Sequence, residues 1–103
     1  MRLCTLMKDG EFVVRITGDI DHHASPGIRE QIDRQVADLA PKRLILDLGS
    51  TDFMDSSGLG LILGRLRLCE ESGIRFTLVI PSGAVMKILR LAGVEKRLDI
   101  QYL

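Results

Sequence analysis

The spacing of apolar and polar residues divides the chain into short strands and amphipathic helices. Leu3 to Met7 and Phe12 to Thr17 are rich in β-forming residues, and Asp9-Gly10 lies between them. Asp-Gly between two apolar runs favours a type I′ turn, which needs positive φ at both central residues. The N-terminal segment is therefore predicted to form an antiparallel hairpin.

Helical and strand-like patterns alternate after the hairpin. Ser25 is predicted to cap a first helix, with Pro26 at its first position and Pro41 beyond its end. The remaining predicted elements are the strand Leu44–Leu48, a helix from Ser56 to about Glu71 that stops at Ser72-Gly73, the strand Phe76–Ile80, a helix between Pro81-Ser82-Gly83 and Gly93, and a possible edge strand from Leu98 to Tyr102.

The order of these elements predicts the fold class. Strands that alternate with helices favour right-handed crossovers and a parallel sheet. We therefore expect one α/β domain over residues 1–103, with a mixed, mostly parallel sheet of four to five strands, an N-terminal antiparallel hairpin and three to four helices. The nearly continuous apolar run of Leu44–Leu48 is typical of a strand covered on both faces.

Composition narrows the class of protein. Apolar residues make up 46% of the chain and Trp is absent, which predicts an aliphatic core. Fourteen basic residues balance fourteen acidic ones, so charge does not favour nucleic acid or a membrane surface as partner. The two cysteines lack metal-ligand spacing and are expected to be reduced and partly buried. Without a secretory segment in the first residues, a cytoplasmic location is expected.

The candidate chemistry lies where the second helix begins, in Phe53-Met54-Asp55-Ser56-Ser57-Gly58-Leu59-Gly60. A helix start presents free backbone N–H groups and the positive end of the helix dipole, so it accepts anions well. A serine at this position can carry a phosphate without burial. Simple N-capping by Asp55 and the serines is the structural alternative, and it is compatible with phosphorylation.

The second helix has two apolar faces. Leu59, Ile62, Leu63, Leu66 and Cys69 form the face expected to pack on the sheet. The opposite face, here called the α2 stripe, contains Ser57, Gly60, Leu61, Gly64 and Leu68. It either packs against another element of the domain or forms a docking surface for a partner. In the docking interpretation the glycines admit a partner to the backbone, Leu61 and Leu68 are anchors, and Arg65 and Arg67 form a charged rim.

Two other kinds of site are conceivable at the same end of the sheet. Ser56 or Ser57 as a nucleophile needs a base, and His22 and His23 are the only histidines, but the G-x-S-x-G elbow is missing. A metal site would draw on Asp19, Asp21, His22, His23 and Asp55, a spacing that matches no familiar ligand pattern. Solvated loop histidines are the simpler interpretation of both patterns.

Three stretches resemble one known family. Met54-Asp55-Ser56-Ser57-Gly58-Leu59-Gly60, followed by Ile62-Leu63-Gly64-Arg65, is similar to the signature of bacterial anti-sigma factor antagonists with a STAS domain. Thr17-Gly18-Asp19-Ile20-Asp21-His22-His23 resembles the family's corresponding loop, and Leu89-Arg90-Leu91-Ala92-Gly93-Val94 its third-helix ending. Within the family the chain resembles in particular the antagonists of the sporulation anti-sigma-F factor.

This resemblance implies a partner-switching regulator of transcription, not an enzyme. The unphosphorylated form would bind an anti-sigma factor that is also a serine kinase, and so release the sigma factor. Phosphorylation of Ser56 would block binding, and a metal-dependent serine phosphatase would reverse it. Asp21, Asp55, Ser57 and Gly58 would surround the phosphate. The resemblance implies no cofactor of the chain's own, since ATP and Mg²⁺ come from the kinase. The alternatives are a ligand-sensing STAS module without phosphorylation and, in a different class, a small serine or nucleotide hydrolase.

Overall fold

The N-terminal hairpin forms as predicted. The computed structural model describes residues 2–80 and 83–102, and in it β1 (Arg2–Lys8) pairs antiparallel with β2 (Glu11–Thr17). Asp9 and Gly10 have φ values of 53° and 82°. These positive values belong to the type I′ turn whose twist matches that of the flanking strands.

The rest of the chain follows the predicted order. The elements are α1 (Ser25–Leu39), β3 (Arg43–Ser50), α2 (Ser56–Ser72), β4 (Arg75–Val79), α3 (Gly83–Leu91), a 3₁₀ turn (Glu95–Arg97) and β5 (Asp99–Gln101). The sheet order is β1-β2-β3-β4-β5, and every pair after the hairpin is parallel. The possible edge strand is thus confirmed as β5. Pro81 and Ser82, predicted to lead into the third helix, lie outside the described residues.

All three helices cover one face of the sheet. Each parallel connection joins neighbouring strands in the same direction, and right-handed crossovers then place every helix on the same side. Phe12, Val14 and Ile16 point to that side and are buried, whereas Val13 and Arg15 lie on the other face and are more exposed. The prediction that β3 is covered on both faces is therefore wrong.

The helix-free face of β3 is covered by charged side chains instead. Arg43 donates from Nε to Thr77 Oγ1 at 2.9 Å and from Nη1 to Glu11 Oε2 at 3.2 Å. Asp47 accepts from Arg15 Nε at 3.0 Å and from the Gly49 N–H at 2.8 Å. These long side chains lie along the strand and shield it, which explains how an apolar-rich strand tolerates a face without helices.

The helices end where left-handed backbone conformations stop them. Ala40, with φ of 44°, ends α1 immediately before Pro41, and Gly73, with φ of 70°, ends α2 as predicted. The core between helices and sheet is mainly aliphatic, with Phe12 and Phe76 as its aromatic members. Over the described ranges, no helix combines the length and apolar character needed to cross a membrane.

Candidate functional site

Two loops at the carboxyl ends of β2 and β3 form a hydrogen-bonded platform. The Gly18 N–H donates to Ser50 O at 3.0 Å, and the Ile20 N–H donates to Phe53 O at 3.0 Å. The Asp55 N–H donates back to Ile20 O at 3.1 Å. The start of α2 is therefore held in place by the neighbouring loop as well as by its own strand.

Thr51, a residue outside the predicted site, fixes this platform to the core. Its hydroxyl donates to Ile16 O at 2.9 Å, and the residue is 1% exposed. A buried hydroxyl needs a hydrogen-bond partner, and the carbonyl of Ile16 on the neighbouring strand β2 supplies it. No local pattern shows that a threonine after one strand bonds to the strand beside it, so the sequence carried no signal for this contact.

Ser56 is the first residue of α2 and is exposed to solvent. Asp55 is the N-cap, and its Oδ1 accepts from the Ser57 N–H at 2.8 Å. Within the described part of the chain, the Ser56 hydroxyl has no hydrogen-bond partner. The capping role thus belongs to Asp55, while Ser57 is half-buried. The geometry leaves the Ser56 oxygen accessible at a helix N-terminus, and its phosphorylation stays a prediction.

Gly58 allows the first turn of α2 to approach the loop that precedes it. A Cβ placed on Gly58 would lie 2.7 Å from Met54 Cβ and 3.0 Å from Met54 Sδ. Met54 is fully buried and pairs with Ile20 in an isolated parallel bridge. Gly58, which was predicted to lie near the phosphate, thus has a packing role: it sets how closely the Ser56 turn sits on the core.

Asp21 caps the loop that leads into α1. Its Oδ1 accepts from the Ala24 N–H at 2.9 Å and from the His23 N–H at 3.0 Å. The bond from Ala24, and less strongly that from His23, holds the pKa of the Asp21 carboxyl below its ordinary value. The prediction of Ser25 as the N-cap is wrong, because Ser25 is already helical and the N-cap position is Ala24, which makes no side-chain cap bond.

Asp21 also lies beside the serine site, as its predicted supporting role requires. The Ile20–Met54 bridge runs parallel, so Asp21 and Asp55 follow it on adjacent strand extensions. The hydrogen bonds of the Asp21 carboxylate go to its own loop. Asp21 therefore shapes its own loop, and its supporting role at the Ser56 site stays a prediction.

The two histidines do not assemble a catalytic triad. Their rings lie 4.1 Å apart on the surface, and His22 Nδ1 is 4.0 Å from Asp55 Oδ2. Among residues 2–80 and 83–102, neither imidazole bonds to Ser56, so the base that a serine nucleophile needs is not in place. The same described residues contain no group of three or more His, Cys, Asp or Glu side chains close enough to hold a metal ion.

The α2 stripe divides between internal packing and solvent. Leu61 and Arg65 are only 4% and 7% exposed. Arg65 Nε lies 3.0 Å from Asp33 Oδ1 of α1, close but not aligned for a hydrogen bond, so the contact is an ion pair. Burial lowers the pKa of the Arg65 guanidinium. The prediction of Leu61 as an exposed partner anchor and Arg65 as an exposed rim is wrong, because Leu61 belongs to the buried core and Arg65 is paired with Asp33 of α1.

The glycines of the stripe remain open to solvent. Of residues 2–80 and 83–102, none would lie within 4 Å of a Cβ placed on Gly60 or on Gly64. Gly60 lines a groove of about 350 Å³ between the first turns of α1 and α2, together with Ser57 and Arg29. Leu68 is half-buried beside α1, and Arg67 is exposed with its Nε 3.7 Å from Glu71 Oε1. A partner role for Gly60, Gly64, Arg67 and Leu68 stays a prediction.

Comparison with known proteins places the chain in a family. The STAS domain model matches residues 5–102. Over 91 residues the chain is 35% identical to an anti-sigma F factor antagonist of Paenibacillus polymyxa, an alignment that covers 88% of this chain and 78% of the relative. The structure of the anti-sigma factor antagonist SpoIIAA in its unphosphorylated form has a TM-score of 0.85 at 32% identity, covering 99% of this chain and 88% of that one. The structure of the Bacillus cell fate determinant SpoIIAA in the phosphorylated form gives 0.79 at 31% identity, covering 99% and 91%. Since the family model spans nearly the whole sequence, this chain belongs to the STAS domain family.

Proposed function

We propose that this chain is an anti-sigma factor antagonist that is switched by phosphorylation of Ser56. The observation that carries the proposal is the Ser56 hydroxyl, exposed and unbonded within the described residues, at the N-terminus of a helix whose own cap is Asp55. Relatives that share a third of the sequence are named anti-sigma F factor antagonists, and a structural neighbour is known in unphosphorylated and phosphorylated forms. Both facts support a regulatory role of this kind, in the cytoplasm where sigma factors act.

The chemistry of the switch would be phosphoryl transfer from ATP. The Ser56 oxygen attacks the γ-phosphorus, its proton passes to a base of the kinase, and the bond to the bridging oxygen breaks to release ADP. The anti-sigma factor kinase would supply ATP and Mg²⁺. A metal-dependent serine phosphatase would hydrolyse the ester with water and return the hydroxyl and inorganic phosphate. The chain itself would be a substrate and a binding protein, with no cofactor and no turnover.

The added phosphate would act on the complex and not on the fold. It brings about −1.5 to −2 charge at pH 7. The free N–H groups and dipole of α2 tolerate this charge on the antagonist. In the complex, the same group must fit between Ser56 and the partner, next to the carboxylate of Asp55. A loss of about 3 kcal/mol from this clash would weaken binding more than a hundredfold.

The surface that meets the partner would include the open part of the α2 stripe. Gly60 and Gly64 cost about 1 kcal/mol each in a helix interior relative to Ala, and none of the described residues lies within 4 Å of a Cβ placed on either. Their lack of side chains lets another molecule approach the α2 backbone. Leu68 and the exposed Arg67 would lie at the border of this surface.

The decisive experiment uses the ATP-binding anti-sigma factor kinase from the same genome. Wild type, Ser56→Ala and the matched control Ser57→Ala are incubated with the kinase, ATP and Mg²⁺, and the added phosphate is mapped. We expect phosphate on Ser56 in wild type and in the control, and none on Ser56→Ala. Ser56→Ala should still bind the kinase, and Ser56→Asp should bind poorly. Phosphate on Ser57, or full affinity of Ser56→Asp, would contradict the proposal.

The hydrolase alternative is less well supported, because among the described residues His22 Nδ1 lies 4.0 Å from Asp55 Oδ2 and neither histidine hydrogen bonds to Ser56. It retains a direct test. Purified protein without a kinase should not hydrolyse nucleotides or activated esters, and turnover that Ser56→Ala abolishes would revive this alternative.

A further inference from the structure

The strand that leads to the Ser56 turn contains one extra residue. Arg15 of β2 pairs with Asp47 of β3. Two residues further along β2, Thr17 pairs with Ser50, which is three residues beyond Asp47. β3 therefore has two residues where β2 has one. This is a β-bulge, an irregularity that often redirects the chain next to a functional site.

The extra residue decides which side chains enter the core. Side chains alternate between the two faces of a regular strand. Counted from Leu48, which is fully buried, Ser50 would face the core and Thr51 would face away from it. In the structure Ser50 is exposed and Thr51 is buried, which is the reverse order. The bulge thus turns the chain over by one position just before the loop that ends at Ser56.

Buried polar groups hold the bulge in this shape. Asp47 Oδ1 accepts from the Gly49 N–H at 2.8 Å, and the Thr51 hydroxyl donates to Ile16 O at 2.9 Å. The Thr51 N–H donates to Leu48 O at 3.1 Å. Of the four polar or charged residues that are buried in the described part of the chain, Asp47 and Thr51 lie on either side of this bulge. Because buried polar groups cost free energy unless they are hydrogen-bonded, these two residues specify one geometry of the bulge.

The loop between the bulge and the Ser56 turn is too short to absorb a shift. Thr51 and Met54 are both buried, and only Asp52 and Phe53 separate them. α2 begins two residues after Met54. A displacement of Thr51 is therefore passed to Met54 and on to the first turn of α2.

We propose that Asp47 and Thr51 are positioning residues for the phosphorylation of Ser56. This inference rests on the proposed function. Their side chains bond to the bulge and not to Ser56, so they act through residues 51–55, which fix where α2 begins. The Ser56 oxygen must meet the γ-phosphorus of ATP in line, and a misplacement of about 1 Å can lower a rate about 100-fold. The kinase would supply the base and the metal, and this chain would supply the position of its hydroxyl.

Thr77 provides a matched control for Thr51. Both threonines are 1% exposed, and the Thr77 hydroxyl also has two partners, Arg43 Nε and Asp99 Oδ2. Thr77 lies on β4 and belongs to neither loop of the site. Thr51→Val and Thr77→Val each replace a buried hydroxyl by a methyl group, so both should lower the thermal unfolding midpoint. An effect on the Ser56 reaction that only Thr51→Val shows then reports on position and not on stability.

The experiment measures steady-state phosphorylation of each variant by the anti-sigma factor kinase with ATP and Mg²⁺, at a temperature where circular dichroism shows every variant folded. We expect Thr51→Val to lower kcat about 10- to 100-fold and to leave KM for the antagonist within about twofold of wild type. Thr77→Val should keep both constants. Thr51→Ser, which retains the hydroxyl, should restore most of kcat.

Asp47 gives a second test, which also serves if Thr51→Val fails to fold. Asp47→Ala removes the acceptor of the Gly49 N–H, so kcat should fall as in Thr51→Val. Arg15→Ala is its control. Arg15 Nε donates to Asp47 Oδ2 at 3.0 Å, but the Arg15 side chain is 59% exposed, and its removal leaves the bond between Asp47 and Gly49 in place. Arg15→Ala should therefore keep the kcat of wild type.

Three outcomes would overturn the inference. Wild-type kcat in Thr51→Val or in Asp47→Ala would show that the bulge does not position Ser56, and the Ser56 switch itself would stand. Equal losses of kcat in Thr51→Val and Thr77→Val would assign the effect to stability. If the kinase does not label wild type at all, the proposed function is wrong and the positioning role falls with it.

Discussion

Three glycines of α2 are expected to respond in opposite ways to the same substitution. Gly58 faces Met54, and a new Cβ would lie 2.7 Å from Met54 Cβ, which is attached directly to the backbone. Gly60 and Gly64 lie on the same helix with open space where a Cβ would be placed. Replacing each by Ala therefore separates the effect of steric overlap from the effect of helix propensity.

The magnitudes follow from these two effects. Overpacking of a buried site costs about 1–3 kcal/mol, and the propensity gain in a first turn is below the ~1 kcal/mol of a helix interior. Gly58→Ala should therefore lower the free energy of unfolding by about 1–2 kcal/mol. At Gly60 and Gly64 only the propensity gain remains, together with lower entropy of the unfolded chain, so each substitution should raise the free energy of unfolding by about 0.5–1 kcal/mol.

The assay is urea unfolding followed by far-UV circular dichroism, because the chain has no Trp and a single Tyr for fluorescence. For a small domain with an m-value of about 1–3 kcal/mol/M, these changes move the urea midpoint by about 0.2 to 2 M. Gly58→Ala should have a lower midpoint than wild type, and Gly60→Ala and Gly64→Ala a higher one. Equal or greater stability of Gly58→Ala would refute the Met54 contact, and destabilisation by Gly60→Ala would refute the open space beside it.

Two predictions concern titratable groups. Asp21→Ala should destabilise the fold at about pH 7, because the pKa of Asp21 is lowered in the native state. The difference in stability between this variant and wild type should shrink as the pH falls below 3.8, since the carboxyl then becomes protonated in the folded and the unfolded protein. Asp21→Asn, which keeps an acceptor oxygen, is the control, and thermal melts at about pH 3 and pH 7 measure both. Burial raises the pKa of the Cys69 thiol from 9.0 to about 11, so as the pH rises the thiol ionises in the unfolded protein before it ionises in the native protein. Between these two pKa values the free energy of unfolding of wild type should therefore fall more steeply with pH than that of Cys69→Ala. In native protein a thiol reagent should modify the exposed Cys4 and spare Cys69, and modification of both would contradict the buried position of Cys69.

The fold was predictable because its signals are local and repeated. Asp9-Gly10 specifies a turn by backbone geometry alone, and Gly73 stops a helix for the same kind of reason. What covers the second face of β3 was not predictable, since an apolar run is equally compatible with a second layer of helices and with a cover of long charged side chains. Only the contacts of Arg43 with Glu11 on β2 and, diagonally, with Thr77 on β4 decide between them, and these contacts are set by the pairing of three strands.

The site was predictable only in part, for a related reason. Asp55 and Ser56 act within one helix turn, so the sequence places them correctly. Which residues of the α2 stripe are exposed depends on which helix packs against α2. Arg65 was expected at the rim of a partner surface, but Asp33 of α1 lies 3.0 Å away and draws it inward. Cys4, expected to be partly buried, is exposed because β1 is the edge strand of the sheet.

The burial of Leu61 and Arg65 reduces the part of the α2 stripe that a partner can contact. Leu61 belongs to the buried core and Arg65 is paired with Asp33 of α1, so neither side chain is exposed for a partner. In the part of the chain that the structure describes, nothing packs where a Cβ on Gly60 or Gly64 would lie, and each glycine weakens the helix that carries Ser56. A sequence that keeps two destabilising residues with no role in packing is expected to gain from them elsewhere. A missing side chain lets another molecule come close to the helix backbone, and for Gly60 and Gly64 this approach is possible on the solvent side of α2.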